Sequence, residues 1–587
     1  MKKKISLCVA AALCAFVASA AHYYVVPGGT GDYTEANPGG NPADAATKAT
    51  ASGDVIHLAT GTYNSSTTVI VLNGVTLIGG SDNPEETVIA RSGTGDFDRV
   101  IILRQNAVVR NLTARGGYTA YQGAGILCYD GSVHGNGVIS NCVVENASSK
   151  YMGGGGCGGV WYDCVIRNSV VRNTTYGVNE GSGGGVFYAT LHNCVITNNT
   201  AGYCGGGIAG GTKSGSAGDN THHVTKAYNC LIGWNRAPFG GGAGASQVMT
   251  SRDLCQLYGC TVISNTASTM GGGAFLCTIS NSVVCTNYVP RTSDDGVTVA
   301  AGGGVIYCNV FDSTIEGNRC VRSGAGAANS NLTGCQIVNN FASHWGGGTY
   351  DCPLVKNCLL AGNTGHHGGA GFMGYFENCV MTNNTSNPFH GSATYNATSR
   401  NCIVVGNYAT TYLAHCRGWH YGDIVYGNRN GYTTYPSGIG ADTDREGETV
   451  PVVNCTVWGN LNGSKNVGRA TLTNSIVWSV ENIYSAVNSF WRNGTVANQT
   501  DCISGEDKDP KFVGIDGTVM LTEAEAKSAP PSAWEIRAYS PCRDTGLLLP
   551  GQASETDCLG HERVKYAGVD MGALECIQSL GTYFLFR

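Results

Sequence analysis

Charge is scarce in this chain. Asp, Glu, Lys and Arg make up 13% of the 587 residues, against about 25% in ordinary globular domains. The formal net charge is -6. So thin and mildly acidic a distribution gives no electrostatic footprint for nucleic acid or an anionic membrane surface. Long apolar runs are missing as well. Past the N-terminus nothing approaches the ~18 apolar residues of a membrane helix, so no transmembrane span is expected. Stretches of ~10 residues with helical periodicity are also absent, which excludes helical repeats. The many glycine runs are followed by no Gly-Lys-Ser/Thr and sit in no strand–loop–helix unit, so they are not phosphate-binding loops.

What is present begins with a leader. Lys2, Lys3 and Lys4 precede an uncharged apolar run from Ile5 to Val17 and the small residues Ala18-Ser19-Ala20. This is the pattern of a secretory signal peptide over 1–20. A lipoprotein anchor is rejected because Leu13 precedes Cys14. The mature chain is expected to start near Ala21, secreted or at the cell surface. Losing three lysines and no acids takes the net charge from -6 to -9. Cys8 and Cys14 fall in the leader, so 24 of the 26 cysteines remain. In an exported protein that number first suggests a disulfide framework.

Their spacing argues otherwise. One Cys position recurs at Cys142, Cys164, Cys194, Cys230, Cys260, Cys335, Cys358, Cys379, Cys402 and Cys455, with Ser282 and Ser313 filling it in two repeats. The basic step is about 22 residues, lengthened by insertions, and that is a solenoid period. Two residues on stands an apolar side chain (Val144, Ile166, Ile196, Ile232, Val262, Ile337, Leu360). The next position is free (Glu145, Arg167, Thr197, Gly233, Glu316). Such period-two alternation is a strand with Cys and its +2 partner facing inward. Five residues after the Cys an Asn recurs (Asn199, Asn235, Asn265, Asn318, Asn340, Asn363, Asn384, Asn407). Its amide can pair with the coils above and below, and it tolerates tight-turn dihedrals.

Glycine triplets such as Gly183-Gly184-Gly185, Gly271-Gly272-Gly273 and Gly346-Gly347-Gly348 mark the second half of each coil, where close backbone approach demands them. Six residues past each triplet's first Gly lies a second file, Cys277, Cys308, Ser330 and Cys352. Adjacent coils lie ~4.8 Å apart, which permits a disulfide. Ser replacing Cys in both files nevertheless fits small, inward, mostly free thiols. The fold class is therefore all-β, a single-stranded right-handed parallel β-helix. Its expected parts are an N-terminal cap and first coils over 21–100, β-helix repeats over 101–500 and a C-terminal capping segment over 501–587.

The Gly-Gly-Gly-Ala/Val runs and Asn-ended strands resemble the repeats of polymorphic outer-membrane adhesins and, more broadly, pectin-lyase-type β-helices. The opening is similar to the first coils of such proteins: Tyr24-Val25-Val26-Pro27, Gly53-Asp54-Val55-Ile56-His57-Leu58, Gly61-Thr62-Tyr63 and Val75-Thr76-Leu77-Ile78-Gly79-Gly80. The end resembles a choice-of-anchor Q segment through Asp509-Pro510-Lys511-Phe512-Val513, Ser540-Pro541-Cys542-Arg543-Asp544-Thr545-Gly546 and Val569-Asp570-Met571-Gly572-Ala573-Leu574-Glu575. Unlike the adhesins, the chain shows no closing run of amphipathic strands, and no autotransporter barrel is expected. The resemblance implies architecture; the fold hosts lyases, hydrolases and adhesins alike.

Chemistry is harder to read. Lyases of this fold need an Arg or Lys base and often Ca²⁺ held by carboxylates; hydrolases need two carboxylates across the sugar. Of the galacturonase pattern only the acidic pair Asp294-Asp295 occurs. The insertion over 211–226 gathers Lys213, Asp219, His222, His223 and Lys226, the best catalytic candidates on one wall. His366-His367 reads as a pair of solvated loop residues. Glu145 and Arg167 stand one coil apart on the outer face, as an exposed ladder ion pair. Trp458 and Trp478 occupy one outward position on consecutive coils, and an exposed pair suits the apolar face of a sugar; the alternative is that a C-terminal loop covers them. Asp544, Asp557, Arg563, Asp570 and Glu575 concentrate charge near the end, as expected of a cap over an open edge. No cofactor is expected; Ca²⁺ there lacks support. The expected protein is a secreted or surface monomer that binds polysaccharide or another extracellular glycan without catalysis. The alternative is an extracellular polysaccharide lyase or glycoside hydrolase.

Overall fold

The computed structural model describes residues 20–129, 135–172, 181–212, 222–245, 252–290, 301–411, 413–441, 448–463, 465–550, 552–565 and 568–578. Residues 1–19 of the expected leader lie outside the described residues.

Each coil reuses the same pieces. In one of them the strand Asn331–Thr333 turns at Gly334 into Cys335 and the strand Gln336–Val338. Asn339 and Asn340 turn the chain into the short strand Phe341–Ala342, and Gly346-Gly347-Gly348 return it to the strand Thr349–Lys356. Every piece pairs in parallel with its equivalent one coil on. Ile315, Ile337, Leu360, Met381, Val404, Val425 and Val457 form one such file. Successive parallel strands joined this way wind to the right, and the result is a right-handed parallel β-helix. Its first strand, His22–Val25, already pairs with Val55–Leu58, and the helix Pro42–Lys48 buries Ala43, Ala45 and Ala46 against the first coils.

Inward positions are apolar and closed: Leu332, Cys335 and Ile337 are buried, while Gln336 between them is exposed. All 24 cysteines of the described residues are free thiols, and all but Cys285, Cys502 and Cys558 are buried. Hydrogen bonding explains why Ser substitutes for Cys here. The Cys335 thiol points 3.3 Å from the Thr333 carbonyl, and the Cys335 amide donates to Cys358 Sγ at 3.3 Å. Ser282 repeats both contacts: its hydroxyl donates to Ser280 O at 2.8 Å and accepts the Cys260 amide at 3.0 Å.

The two kinds of Asn divide the labour differently from the sequence expectation. The ladder Asn does not carry the left-handed dihedral; the residue before it does, as at Asn339 with φ 56°. A second left-handed corner precedes the Cys, as at Asn357 (φ 53°) and Asn378 (φ 53°), which explains the recurrent Asn-Cys pair. The ladder Asn is fully enclosed instead. Asn340 Oδ1 accepts the amide and the Nδ2 of Asn318, while its own Nδ2 donates to Ile315 O and Asn363 Oδ1 at 2.9 and 3.0 Å. The ladder also takes in Asn287, Asn428 and Asn460. At the opposite corner Gly347 is obligatory, because a Cβ would meet the Thr364 carbonyl oxygen at 2.4 Å.

From Gly505 the chain leaves the coils and covers the flank of the last ones. Phe512, Trp534, Ile536, Met571 and Leu574 pack on Ile424, Tyr426, Trp458, Ile476 and Phe490. Polar pins fix the contact: Tyr426 Oη donates to Ala529 O at 3.0 Å and Asn488 Nδ2 to Thr545 O at 2.9 Å.

Candidate functional site

Several sequence candidates move. Trp458 does point outward, but the closing segment seals it: it is 0% exposed, with Phe512 at 5.2 Å and Trp478 at 5.0 Å, both edge-on. Trp478 is half-buried, with the Arg492 guanidinium 5.4 Å over its ring. The pair therefore offers no open ring face to a sugar, because outward aromatics on these coils are where the closing segment binds. Glu145 is no exposed partner either. It is buried between Arg115 Nε at 2.7 Å and Arg167 Nε at 2.8 Å. Burial pushes its carboxyl up, yet the two guanidiniums outweigh this and hold it below the usual range. His366 and His367 are half-buried rather than solvated, and His367 stacks on Phe389 at 4.8 Å.

Lys213, Asp219, Asp294 and Asp295 lie outside the described residues. The backbone of His222 and His223 pairs antiparallel with Gly211 and Thr212, so the insertion leaves and re-enters as a hairpin. In the closing segment the carboxylates tie loops together. Asp570 accepts the amides of Asp544 and Cys576, Asp557 those of Leu559, His561 and Glu575, and Glu575 that of Asp570. Buried Arg563 reaches Glu575 at 3.3 Å.

A different surface gathers recognition chemistry. In four successive coils the two short strands between the glycine turn and the cysteine position run together as one, giving the long strands Thr349–Lys356, Gly371–Glu377, Thr394–Arg400 and His415–Tyr421. Their outward residues align across coils. Tyr350, Phe372 and Tyr395 form one file, with rings 5.6 and 5.3 Å apart and nearly parallel. Tyr375, Thr398 and Trp419 form a second, and Glu377, Arg400 and Tyr421 a third. Trp419 is 56% exposed and Phe389, beside the first file, 43%.

The charges on this face are paired. Lys356 meets Glu377 at 2.9 Å, and Arg400 meets Glu555 of the closing segment at 2.5 Å. Arg417 sits 5.4 Å over the Tyr395 ring and 3.5 Å from Glu448. Where the closing segment meets the face, Tyr375, Arg400, Tyr421, Gln552 and Glu555 line a recess of about 190 Å³. Such a surface can stack flat apolar faces and donate hydrogen bonds from guanidinium, phenol and indole at its margins. Sequence reasoning missed it, although Gly371-Phe372-Met373-Gly374-Tyr375-Phe376-Glu377 and His415-Cys416-Arg417-Gly418-Trp419-His420-Tyr421 carry its signal as aromatics at the positions the repeat leaves free.

No protein-family model and no curated protein sequence matches the chain. Among solved structures it is similar to pectate lyase Pel9A, at 11% identity over 95% of this chain and 97% of that one, with a TM-score of 0.22. It is also similar to the A-module of the Azotobacter vinelandii mannuronan C-5 epimerase AlgE6, at 12% identity over 79% and 93%, TM-score 0.20. The Dettilon tailspike protein matches at 12% identity over 68% and 66%, TM-score 0.25. Likenesses this distant carry no argument about the site.

Proposed function

We propose that the protein is an exported, monomeric β-helix scaffold that binds a neutral polysaccharide on the long-strand face and does not cleave it. The observation that carries this reading is the pair Tyr375 and Trp419 in one outward file, with Tyr421 in the next file and the Tyr350–Phe372–Tyr395 file beside them. Strands stacked ~4.8 Å apart place Tyr375 and Trp419, two coils apart, at a separation of about 10 Å, so a glycan chain can lie across the coils and meet both rings. The pairing of Lys356, Arg400 and Arg417 with carboxylates leaves little net charge, which favours neutral sugars over uronates. The described carboxyls pushed upward by burial, Glu535, Asp570 and Glu575 (to about 8), are buried inside the closing segment, with Arg563 between Glu575 and the recess. That supports binding over acid–base cleavage. The adhesin-like glycine repeats fit a surface role.

The test is retention of the protein in gels containing neutral and uronate polysaccharides, read together with release of reducing or unsaturated ends. Tyr375→Ala with Trp419→Ala is expected to weaken retention by neutral glycan roughly 5- to 150-fold, two stacking contacts at about 0.5–1.5 kcal/mol each. Far-UV circular dichroism should stay unchanged. Released ends, or retention indifferent to both substitutions, would overturn the proposal.

A further inference from the structure

One coil breaks the apolar rule of the interior at three positions together. In the strands before the cysteine, the inward file runs Leu332, Val355, Phe376, Ser399, His420, Val452 and Leu472. In the strands after the glycines it runs Thr349, Gly371, Thr394, His415 and Ile439. In the cysteine file, Asp423 stands between Cys402 and Cys455. His415, His420, Asp423, Thr394 and Ser399 are all fully buried.

The contacts among them are specific. Asp423 Oδ1 accepts the Cys402 amide at 2.8 Å, the role thiols and serines fill elsewhere in that file. Its Oδ2 accepts the Ser399 hydroxyl at 2.5 Å and lies 3.7 Å from His420 Nδ1. Ser399 Oγ is 2.8 Å from His420 Nδ1, and Thr394 Oγ1 is 2.5 Å from His415 Nδ1. Each ring thus engages a hydroxyl through Nδ1, while the Nε2 of each, fully buried, has no hydrogen-bond partner. The rings stand 4.4 Å apart, and one donor atom each from His415, His420 and Asp423 lie within 4.8 Å of one another.

An unpartnered buried nitrogen is costly, and a carboxylate hydrogen-bonded only by an amide and a hydroxyl is costlier in an apolar interior. Both costs vanish if a cation sits among the three groups. We infer that His415, His420 and Asp423 form a binding site for a divalent transition metal of the zinc class inside the solenoid. Two imidazoles and one carboxylate are a borderline N/O set that suits Zn²⁺, Co²⁺ or Ni²⁺, whereas Ca²⁺ and Mg²⁺ demand six or more oxygens. Hydroxyls on Nδ1 are the outer partners that fix a ligating imidazole with Nε2 free. Donors of a tetrahedral zinc lie about 3.3 Å apart, so the three groups have to draw in from their 4.8 Å spread when the ion binds. The ion would tie the two ends of the strand His415–Tyr421 to the corner that opens the strand Ile424–Tyr426.

Because the site is enclosed, the mature chain should be refolded with Zn²⁺ or Co²⁺, desalted and assayed for metal. Stoichiometric metal, a visible four-coordinate Co²⁺ spectrum and a melting temperature lowered by refolding with a chelator are expected. His415→Ile with His420→Val installs the residues that the next coil carries at Ile439 and Val452, and should abolish all three signals while keeping the circular dichroism spectrum. Protein that refolds without taking up metal, or a folded double variant that still binds it, overturns the inference. Should the double variant fail to fold, metal content and the Co²⁺ spectrum of the unsubstituted protein decide.

Discussion

Asn339 and Asn340 are neighbours of one residue type with separate jobs, and substituting each by alanine separates the jobs energetically. Asn340→Ala removes Oδ1, which holds two buried donors of the preceding coil, the Asn318 amide and one hydrogen of Asn318 Nδ2. Asn318 Nδ2 keeps its bond to Val284 O, so the orphaned donors are one backbone N–H and one amide hydrogen, while Ile315 O and Asn363 Oδ1 each lose the bond from Asn340 Nδ2. At about 1–3 kcal/mol for each unsatisfied buried group, the variant should lose about 2–6 kcal/mol. Asn339 is exposed and contributes mainly its tolerance of φ 56°. Asn339→Ala should lose about 1–2 kcal/mol and Asn339→Gly almost nothing.

A stack of coils does not unfold as one two-state unit, because each repeat contacts only its neighbours. Peptide-resolved hydrogen exchange is therefore the suitable assay. In Asn340→Ala the amides around Asn318 and Asn340 should lose protection by roughly 30- to 10⁴-fold, with coils several repeats away unchanged. In Asn339→Ala the loss should be roughly 5- to 30-fold and confined to its own corner. Equal losses in the two alanine variants would refute the division between ladder and corner.

Cys335→Asp should lower local stability, read by hydrogen exchange, by several kcal/mol, since an anion without a cation would be enclosed; Cys335→Ser, which repeats the contacts of Ser282, should stay close to the parent. Glu145 is held below its unfolded value, so its contribution is fully present above pH ~4.5 and is lost as pH falls through the lower folded value. Glu145→Gln should accordingly flatten the fall of melting temperature on acidification. Deleting the chain from Gly505 should uncover Tyr426, Trp458 and Phe490 and produce dye-binding, self-associating protein; a truncated chain that stays monomeric, with unchanged tryptophan fluorescence, would contradict the packing.

The sequence makes the interior legible because stacking imposes the same demand at every turn. A side chain at the Cys335 position must be small, must accept an amide from the coil before and must donate to its own strand, so Cys and Ser are what recur there. The ladder Asn is constrained from both sides in the same way. Outward residues meet no such repeated demand, and for that reason neither the covering of Trp458 nor the long-strand face can be read from periodicity. Trp458 and Trp419 both look like free outward aromatics in the sequence. Only the path of the closing segment, some fifty to a hundred residues further along, buries one and leaves the other 56% exposed. The interior site fails to announce itself for the opposite reason. A search for recurring Cys passes from Cys402 to Cys455, yet Asp423 keeps the register, with Val425 two residues on and the ladder Asn428 five residues on. A repeat defined by its rule rather than by its commonest residue would have shown Asp423 as an acid at a buried position. His420 and His415 then follow from the same register. In a solenoid, the informative residue is the one that keeps its place while breaking the chemistry of its file.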